Sequence, residues 1–388
     1  MGITRDYLPF GKPSFSEEEI AAVTRVLRSG WVGLGPETSA FEKELAAYVG
    51  AKHVVAINSC TSALFLALRA LGVGPGDEVI VPSLTWCSTA NAALYLGATP
   101  VFCDVELDTM SASPATIAAA LTDKTKAVVH VHYGGLASDM VALRAALPQN
   151  VAIVEDAAHS LGAKYPEGSP VGSSGNLTCF SFYANKNLST GDGGAVAVND
   201  PGLFEKVRLS SHQGLQSDAW KRFTHPLSAL TPGIAELGYK MNFTDLQATI
   251  GRVQLKRQPE FNERRLSVAS YYVDRLSSVI ADVRFQKGIT DDGHARHLFV
   301  LRIPITEMQI NRNEMLLELR ARNIGASIHY APLHTLPLYQ QYTRGRLPNA
   351  EELMNDIMTL PIGASVSDSD AAYVVDQVIE TFAAARKS

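Results

Sequence analysis

The sequence predicts an α/β fold in which helices cover a mostly parallel, seven-stranded sheet, together with a smaller α+β domain. Three observations indicate this fold. The chain has 388 residues, its residues are 46% apolar and 19% charged, and short β-rich runs alternate with longer Ala- and Leu-rich runs. A chain of this size and composition can bury a large core, and repeated β-α alternation is typical of parallel sheets with helices on both faces.

The predicted elements follow one another in a regular order. Residues 15–30 carry apolar side chains at helical spacing, with Ser16 as the predicted N-cap and Gly30 as the stop. Five β-α alternations begin near residue 52, and their β-rich runs are HVVAIN, DEVIVP, TPVFCDV, KAVVHVHY and VAIVED. Two further apolar runs, LTCFSFY and GAVAVN, flank the segment ANKNLSTGDG and predict a hairpin or a neighbouring pair of strands.

The character of the sequence changes after about residue 256. A helix is predicted over TDLQATIGRVQLKRQ, and Pro259 interrupts it or separates it from the next helix. Beyond it come a charged helix, the β-like runs HLFVLRIP and ASIHYAP, and a C-terminal helix near DAAYVVDQVIETFAAA. We therefore predict a large domain over residues 16–255 and a small domain over residues 256–388 together with 1–15.

Charge and composition disfavour several classes of protein. The chain has 34 basic against 39 acidic residues, which provides no basic surface for nucleic acid. The four cysteines contain no C-x-x-C pair, so they indicate reduced thiols rather than disulfides or a zinc site. No apolar run is long enough to span a membrane, and no secretory signal is evident. We expect a cytoplasmic protein that binds neither nucleic acid nor a membrane.

Two strand ends carry groups that could bind a ligand, because ligands of open parallel sheets bind beyond the carboxyl ends of the strands. The run HVVAIN ends in the segment NSCTS before an apolar helix, whose free N–H groups and dipole favour a phosphate. An ordinary Ser or Thr N-cap is the alternative. The run VAIV ends in Asp156, with His159 close behind; a helix cap and a core histidine are the alternatives.

Two more strand ends complete the pattern. Lys186 lies between two apolar runs and beside the glycine-rich turn GDGG, where a desolvated amine would react readily with carbonyls; a solvated lysine at a hairpin tip is the alternative. Trp86 follows the run EVIVP and could stack on a flat ring or belong to the core. An anion site, a stacking surface, a carboxylate and a lysine together are what pyridoxal phosphate requires.

The same motifs resemble a known family. NSCTSAL, PSLTW, EDAAHSLGA, SFYANKNLSTGDGG and GYKMNFTDLQATIG are similar to the DegT/DnrJ/EryC1/StrS sugar aminotransferases, which are fold-type I pyridoxal-phosphate enzymes. The resemblance extends from LPFGKP to LPNAEELMNDIMTLPIGASVSDSD and is strongest to the branch that makes 4-amino-4-deoxy-arabinose on a uridine diphosphate carrier. It implies transfer of an amino group from L-glutamate to a nucleotide-linked keto sugar, with the ketone expected at carbon 4, to give an amino sugar for a surface polysaccharide or a secondary metabolite.

The resemblance also implies roles for single residues. Lys186 would bind the cofactor covalently and act as the base, and Asp156 would face the pyridine nitrogen. Asn242 would reach the phosphate of a neighbouring subunit in a homodimer, and Lys240 and His329 would lie near the substrate. The implied cofactor-binding residues are Cys60 (through its backbone), Thr61, Trp86, Asp156, His159, Ser181, Lys186 and Asn242.

Other functions remain open at this stage. A nicotinamide oxidoreductase is disfavoured because GLGPET lacks the final glycine of the dinucleotide-binding motif and precedes the alternation. A dehydratase of the same family would have histidine in place of Lys186, whereas a regulatory protein that only binds the cofactor would keep the lysine. His130 and His132 share one face of a β-run, but no third ligand stands at a recognisable spacing, so we predict no metal site.

Overall fold

The central element of the fold is a seven-stranded sheet. The computed structural model describes residues 6–216 and 233–386. The strands run in the order β1-β7-β6-β5-β4-β2-β3, and only β7 opposes the direction of the others. Their bounds are His53–Ile57 (β1), Glu78–Pro82 (β2), Thr99–Cys103 (β3), Thr125–Val131 (β4), Ala152–Asp156 (β5), Leu177–Ser181 (β6) and Gly194–Val198 (β7). The predicted α/β fold class is confirmed, and β6 and β7 form the predicted neighbouring pair.

Helices flank the strands on both faces of this sheet. The helices that precede or alternate with its strands are Glu17–Ser29 (α1), Pro36–Val49 (α2), Cys60–Ala70 (α3), Cys87–Leu94 (α4), Pro114–Ala118 (α5), Met140–Ala145 (α6) and Pro201–Ser211 (α7). Those that follow are Asp245–Lys256 (α8), Gln258–Ser277 (α9), Arg312–Ala321 (α10), Pro348–Asp356 (α11) and Asp368–Ala385 (α12). None of the helices within residues 6–216 and 233–386 is both long and apolar enough to cross a membrane.

Local sequence signals explain where several helices begin and end. Ser16 caps α1 in a reciprocal hydrogen-bonded box with Glu19, and Gly30 ends it in the left-handed conformation with φ of 75°. Pro259 lies in the first turn of α9, where its missing N–H costs nothing, so it separates α8 from α9.

Both faces of the sheet are covered by apolar layers. On one face, Phe41 of α2 packs against Phe182 and Phe243, with ring centroids 5.5 and 5.7 Å apart. On the other face, the almost wholly apolar α3 is buried along most of its length and packs against β6 and β7. Burial on both faces fixes the strands, so their carboxyl ends form a rigid edge.

A second, antiparallel sheet follows in the C-terminal part of the chain. It has the order β10-β9-β8, formed by Arg284–Phe285 (β8), Phe299–Arg302 (β9) and Ile357–Leu360 (β10). Its core includes Tyr272 of α9 and Val375 of α12. The proposed division into domains at residues 255 and 256 stays a prediction.

One predicted strand of this part is wrong. ASIHYAP forms no strand; its only ladder contact is a bridge between Ser327 and Thr359. Residues 329 and 330 instead turn their side chains into the cavity described below, and Pro332 has no N–H to donate. The strand that pairs with β9 is β10. The sequence analysis missed this strand because it has only four residues and directly follows a helix.

Candidate active site

A cavity of about 460 Å³ opens at the carboxyl ends of β1, β2, β5 and β6. The strands supply its floor, the segment between β6 and β7 supplies one wall, and residues 329–330 supply another. The residues that line it are Ser59, Cys60, Thr61, Leu64, Thr85, Trp86, Ser88, Val131, Asp156, Ala158, His159, Ser181, Tyr183, Asn185, Lys186, Asp192, Gly193, His329 and Tyr330. The four strand ends singled out in the sequence therefore meet in one place.

Asp156 ends β5 and is buried, with only 6% of its surface exposed. One carboxylate oxygen accepts a hydrogen bond of 2.9 Å from the Thr89 hydroxyl, and the other accepts one of 3.2 Å from the Ala158 N–H. Burial raises the pKa of Asp156, and the Thr89 hydrogen bond opposes this only in part. Within residues 6–216 and 233–386, no basic side chain forms an ion pair with Asp156, and Lys186 acts on it only as a more distant charge.

Lys186 lies in the segment that joins β6 and β7, and its side chain is half-buried in the cavity wall. A turn closed by the Lys186 N–H and the Tyr183 carbonyl, at 2.8 Å, fixes the backbone there. Burial lowers the pKa of Lys186 to about 8, against the opposing charge of Asp156. Roughly a tenth of this amine is therefore unprotonated at pH 7, far more than for a lysine of ordinary pKa at a solvated hairpin tip.

The start of α3 presents hydrogen-bond donors to the cavity. The Ser59 hydroxyl caps the helix by accepting the Ser62 N–H at 3.1 Å, which confirms its capping role. Within the parts of the chain that the structure describes, the N–H groups of Cys60 and Thr61 have no recorded acceptor. A Cβ on Gly194 would lie 2.5 Å from the Cys60 nitrogen, so only glycine allows β7 to approach this turn. The first turn of α3 is thus free to bind an anion.

Aromatic side chains form the upper part of the cavity. The Trp86 and Tyr330 rings are 5.7 Å apart, and Trp86 is 59% exposed, so it is not a core residue. His159 is buried; its Nδ1 accepts the Gly134 N–H at 3.3 Å, so its Nε2 faces the Tyr330 hydroxyl at 3.1 Å as the donor. Burial lowers the pKa of His159, and the charge of Lys186 lowers it further. His159 is therefore a neutral ring beside the lysine.

Most of the residues predicted for the site line this cavity, and two do not. Cys60, Thr61, Trp86, Asp156, His159, Ser181, Lys186 and His329 all line it. Asn242 is instead half-buried beside Ile57, next to the end of β1, and its side-chain amide donates to the Phe243 carbonyl at 3.0 Å. Lys240 is exposed and forms a backbone bridge with His212.

Several contacts of the site could not be found in the sequence. His297 places Nε2 at 3.3 Å from the Lys186 Nζ, although the two residues are 111 positions apart. Thr89 lies in the first turn of α4, and nothing in the local sequence distinguishes it from other helix residues. Tyr330 also lines the cavity. The sequence offered one indication of this, because Tyr330 directly follows His329, which was predicted to lie near the substrate.

His130 of β4 and His132, which directly follows that strand, have different surroundings. The His132 Nε2 lies 2.7 Å from the buried Glu155 carboxylate, and the His132 Nδ1 accepts the Ser138 N–H at 3.2 Å. Among the residues that the structure describes, neither ring nitrogen of the buried His130 has a hydrogen-bond partner, and burial lowers the pKa of His130 to about 3. Within the described ranges, no group of three or more metal-binding side chains is present.

Comparison with known proteins gives one consistent family. Residues 13–379 match the model of the DegT/DnrJ/EryC1/StrS aminotransferase family. A spore coat polysaccharide biosynthesis protein of Bacillus subtilis, SpsC, is 44% identical over 380 residues, which are 96% of this chain and 96% of SpsC.

Solved structures agree with this match. The PLP-form of Spr1654 from Streptococcus pneumoniae superposes with a TM-score of 0.87 at 30% identity, covering 97% of this chain and 98% of Spr1654. The sugar aminotransferase CalS13 from Micromonospora echinospora superposes with a TM-score of 0.85 at 27% identity, covering 96% and 99% of the two chains.

Proposed function

Since this chain belongs to the DegT/DnrJ/EryC1/StrS aminotransferase family and is a pyridoxal-phosphate-dependent enzyme, we propose that it transfers an amino group from L-glutamate to a nucleotide-linked keto sugar. We propose that the ketone lies at carbon 4 of the sugar. The observation that carries this proposal is that Lys186 and Asp156 line one cavity together with the free first turn of α3. When bound there, pyridoxal phosphate supplies a carbonyl carbon that reacts with amines and a ring that withdraws electrons.

The residues at the two ends of the cavity suit this cofactor. Asp156, a buried carboxylate without an ion-pair partner among the described residues, would favour protonation of the ring nitrogen, which would make the ring withdraw electrons more strongly. The unpaired N–H groups of Cys60 and Thr61, with the Ser181 hydroxyl, suit a phosphate at the N-terminus of α3. The Cys60 side chain turns away, because its Sγ contacts the Cys179 carbonyl at 3.7 Å. Trp86 and His159 line the same cavity, and in this proposal they would contact the ring.

Lys186 serves as both attachment point and base in this proposal. With a pKa of about 8, its amine is sufficiently unprotonated to attack a carbonyl carbon. With the cofactor and an amino donor bound, the free Lys186 amine would act as the base that moves a proton between the donor's α-carbon and the carbonyl carbon of the cofactor. With the keto sugar bound, the same amine would move a proton in the reverse direction.

The remaining roles concern the substrate and the second subunit. We propose that His329, whose pKa is lowered to about 3 by burial, binds the sugar as a neutral ring, and that the exposed Lys240 contacts its charged part. We further propose a cytoplasmic homodimer in which Asn242 reaches the phosphate of the neighbouring subunit. Sedimentation of the purified protein measures the oligomeric state, and titration of the cofactor-free wild type and Asn242→Ala with pyridoxal phosphate measures the expected loss of cofactor affinity.

The comparisons do not support the branch that makes 4-amino-4-deoxy-arabinose. SpsC acts in spore coat polysaccharide biosynthesis, which supports an amino sugar for a surface polysaccharide. The sugar is therefore identified by experiment: the protein is first treated with L-glutamate and then offered a panel of nucleotide-linked keto sugars. Return of the cofactor's original visible absorption identifies the acceptor.

A matched variant separates an aminotransferase from a protein that only binds the cofactor. We expect Lys186→Ala to abolish turnover while leaving the fold and part of the cofactor affinity intact. Wild-type protein should lose the visible absorption on addition of L-glutamate, and Lys186→Ala should not. Absence of that change in the wild type would favour the regulatory alternative, and normal turnover by Lys186→Ala would remove the lysine from the proposed mechanism.

A further inference from the structure

Three polar groups form a hydrogen-bonded chain that ends on the Lys186 amine. The Asn187 Nδ2 donates to the Ala295 carbonyl at 2.8 Å, which leaves the Asn187 Oδ1 as an acceptor. This oxygen lies 3.2 Å from the His297 Nδ1, and the His297 Nε2 lies 3.3 Å from the Lys186 Nζ. Because Asn187 Oδ1 can only accept, His297 Nδ1 carries the proton and His297 Nε2 presents its lone pair to the lysine.

The chain is rigid and excludes water. Asn187 is 5% exposed and His297 is 2% exposed. The His297 ring packs against His159 with centroids 4.5 Å apart and meets Phe10 edge-on at 6.4 Å. An imidazole held by packing on both sides and by an amide at Nδ1 has one orientation, so its Nε2 marks a fixed point in the cavity wall.

The charges around His297 keep its ring neutral. The groups that face it are Lys186, His159, His329 and Arg265, and Arg265 donates to the Arg296 carbonyl beside it at 3.0 Å. Burial lowers the pKa of His297 well below its ordinary value, and the positive charges of Lys186 and Arg265 lower it further, while His159 and His329 are neutral rings. Neutral His297 can accept a hydrogen bond from Lys186, but it is a poor store for a proton.

We propose that His297, oriented by Asn187, is a positioning residue that accepts an N–H of the released Lys186 amine and so directs the amine's lone pair toward the substrate carbon. This inference rests on the proposed role of Lys186 as the base. An amine has one lone pair, and fixing one of its N–H bonds limits the directions in which that lone pair points. Among residues 6–216 and 233–386, His297 is the one residue whose side chain lies within hydrogen-bonding distance of the Lys186 Nζ.

The first experiment measures the lysine itself in the full-length, cofactor-free protein. Acetic anhydride labels unprotonated amines, and mass spectrometry of the peptide containing Lys186 gives its labelling rate as a function of pH. An acceptor at Nε2 stabilises the ammonium form, so His297→Phe should lower the pKa of Lys186. His297→Gln retains an acceptor oxygen and should restore the wild-type profile. His53→Phe is the matched control, because the His53 ring stacks on Phe204, 4.6 Å away, outside the cavity.

The second experiment follows proton transfer in the cofactor-loaded protein. We expect His297→Phe to slow the half-reaction with L-glutamate about tenfold, the loss typical of a hydrogen bond to a charged group, with KM little changed. The isotope effect of α-deuterated glutamate should rise, because proton transfer becomes slower than binding. Asn187→Leu leaves His297 in place but frees Nδ1, and it should shift the labelling profile and the rate in the same direction by less.

The outcomes decide between positioning and other roles. An unchanged labelling profile and an unchanged rate in folded His297→Phe would overturn the proposal. If that variant does not fold, wild-type behaviour of Asn187→Leu in both measurements would overturn it equally. Failure of every keto sugar would instead count against the proposed function, while the labelling of Lys186 in cofactor-free protein would still test the role of His297.

Discussion

Glu155 and Asp156 are neighbours on β5, yet their side chains lie on opposite faces of the sheet and in opposite electrostatic surroundings. Asp156 faces the cavity and accepts two hydrogen bonds. Glu155 is fully buried on the other face and accepts four, from His132 at 2.7 Å, Tyr165 at 2.6 Å, Asn176 at 2.8 Å and the Ser174 hydroxyl.

The pKa values of the two carboxyl groups move in opposite directions. Burial raises the pKa of Glu155, but the hydrogen bonds from His132, Ser174 and Tyr165 outweigh it and hold the pKa at about 2. Burial raises the pKa of Asp156, and fewer donors oppose it there. A buried carboxylate with a full set of donors stabilises the folded state. A buried carboxylate with too few donors instead favours the binding of a cationic ligand, which would supply the missing interaction.

The substitution Asp156→Asn is expected to have the largest effect on activity. It removes the charge that favours a protonated ring nitrogen, so the half-reaction with L-glutamate should slow at least about 100-fold. Cofactor-free Asp156→Asn should unfold at no lower denaturant concentration than the wild type, because it removes a buried charge without a cationic partner. Rapid-mixing absorbance and urea unfolding measure the two quantities. An unaffected rate would mean that another residue faces the ring nitrogen.

The matched substitution Glu155→Gln should show the reverse pattern. The amide cannot accept all four donors, so we expect the free energy of unfolding to fall by about 3 kcal/mol at neutral pH. The half-reaction of the folded variant should stay close to the wild-type rate, since Glu155 faces away from the cavity. Urea unfolding of the cofactor-free protein gives the first quantity, and the same rapid-mixing assay gives the second. A hundredfold loss of rate in Glu155→Gln would break the distinction between the two carboxylates.

The sequence predicted a role for Asp156 but none for Glu155. Asp156 follows an apolar run at a strand end, which is a position where ligand-binding residues occur. Nothing adjacent to Glu155 distinguishes it, because His132 and Tyr165 reach it from separate segments. The sheet and the groups at its strand ends could be predicted, since both depend on local patterns. The donors around Glu155 and the His297 contact to Lys186 depend on tertiary packing, which no spacing rule describes.

The same limit explains the misassigned strand near residue 330. Alternating apolar and polar residues in ASIHYAP satisfy the local rule for a strand. The segment lies along the outer edge of β10, where Ser327 pairs with Thr359 at a single position, and His329 and Tyr330 line the cavity. Tertiary packing decides whether such pairing continues, so a local pattern predicts a candidate strand but not how far it pairs.

The dependence of stability on pH sharpens the comparison further. The pKa of Glu155 is lower in the folded protein than in the unfolded chain, so its contribution is complete above about pH 4.5 and is lost as the pH falls toward 2. Between pH 5 and pH 3, wild-type protein should lose on the order of 1–2 kcal/mol more than Glu155→Gln. Over the same interval, wild-type protein should lose less free energy of unfolding than Asp156→Asn. The reason is that the raised pKa of Asp156 penalises its ionised form, and this penalty is relieved as the pH falls. Urea unfolding of the three cofactor-free proteins at both pH values provides the test, and parallel profiles would contradict it.

The smallest expected effect concerns a single donor on each face. The Thr89 hydroxyl accepts from Thr85 at 2.9 Å and donates to Asp156 at 2.9 Å, so it fixes the carboxylate toward the cavity. Thr89→Val removes the donor with little change of shape, and we expect the half-reaction to slow about tenfold, whereas Thr89→Ser keeps the hydroxyl and should remain near wild type. On the other face, Ser174→Ala leaves Glu155 with three donors, so it should cost about 1 kcal/mol of stability and no rate. If Ser174→Ala slowed the half-reaction as much as Thr89→Val, both faces of β5 would affect catalysis alike. That result would contradict the assignment of Asp156 to activity and Glu155 to stability.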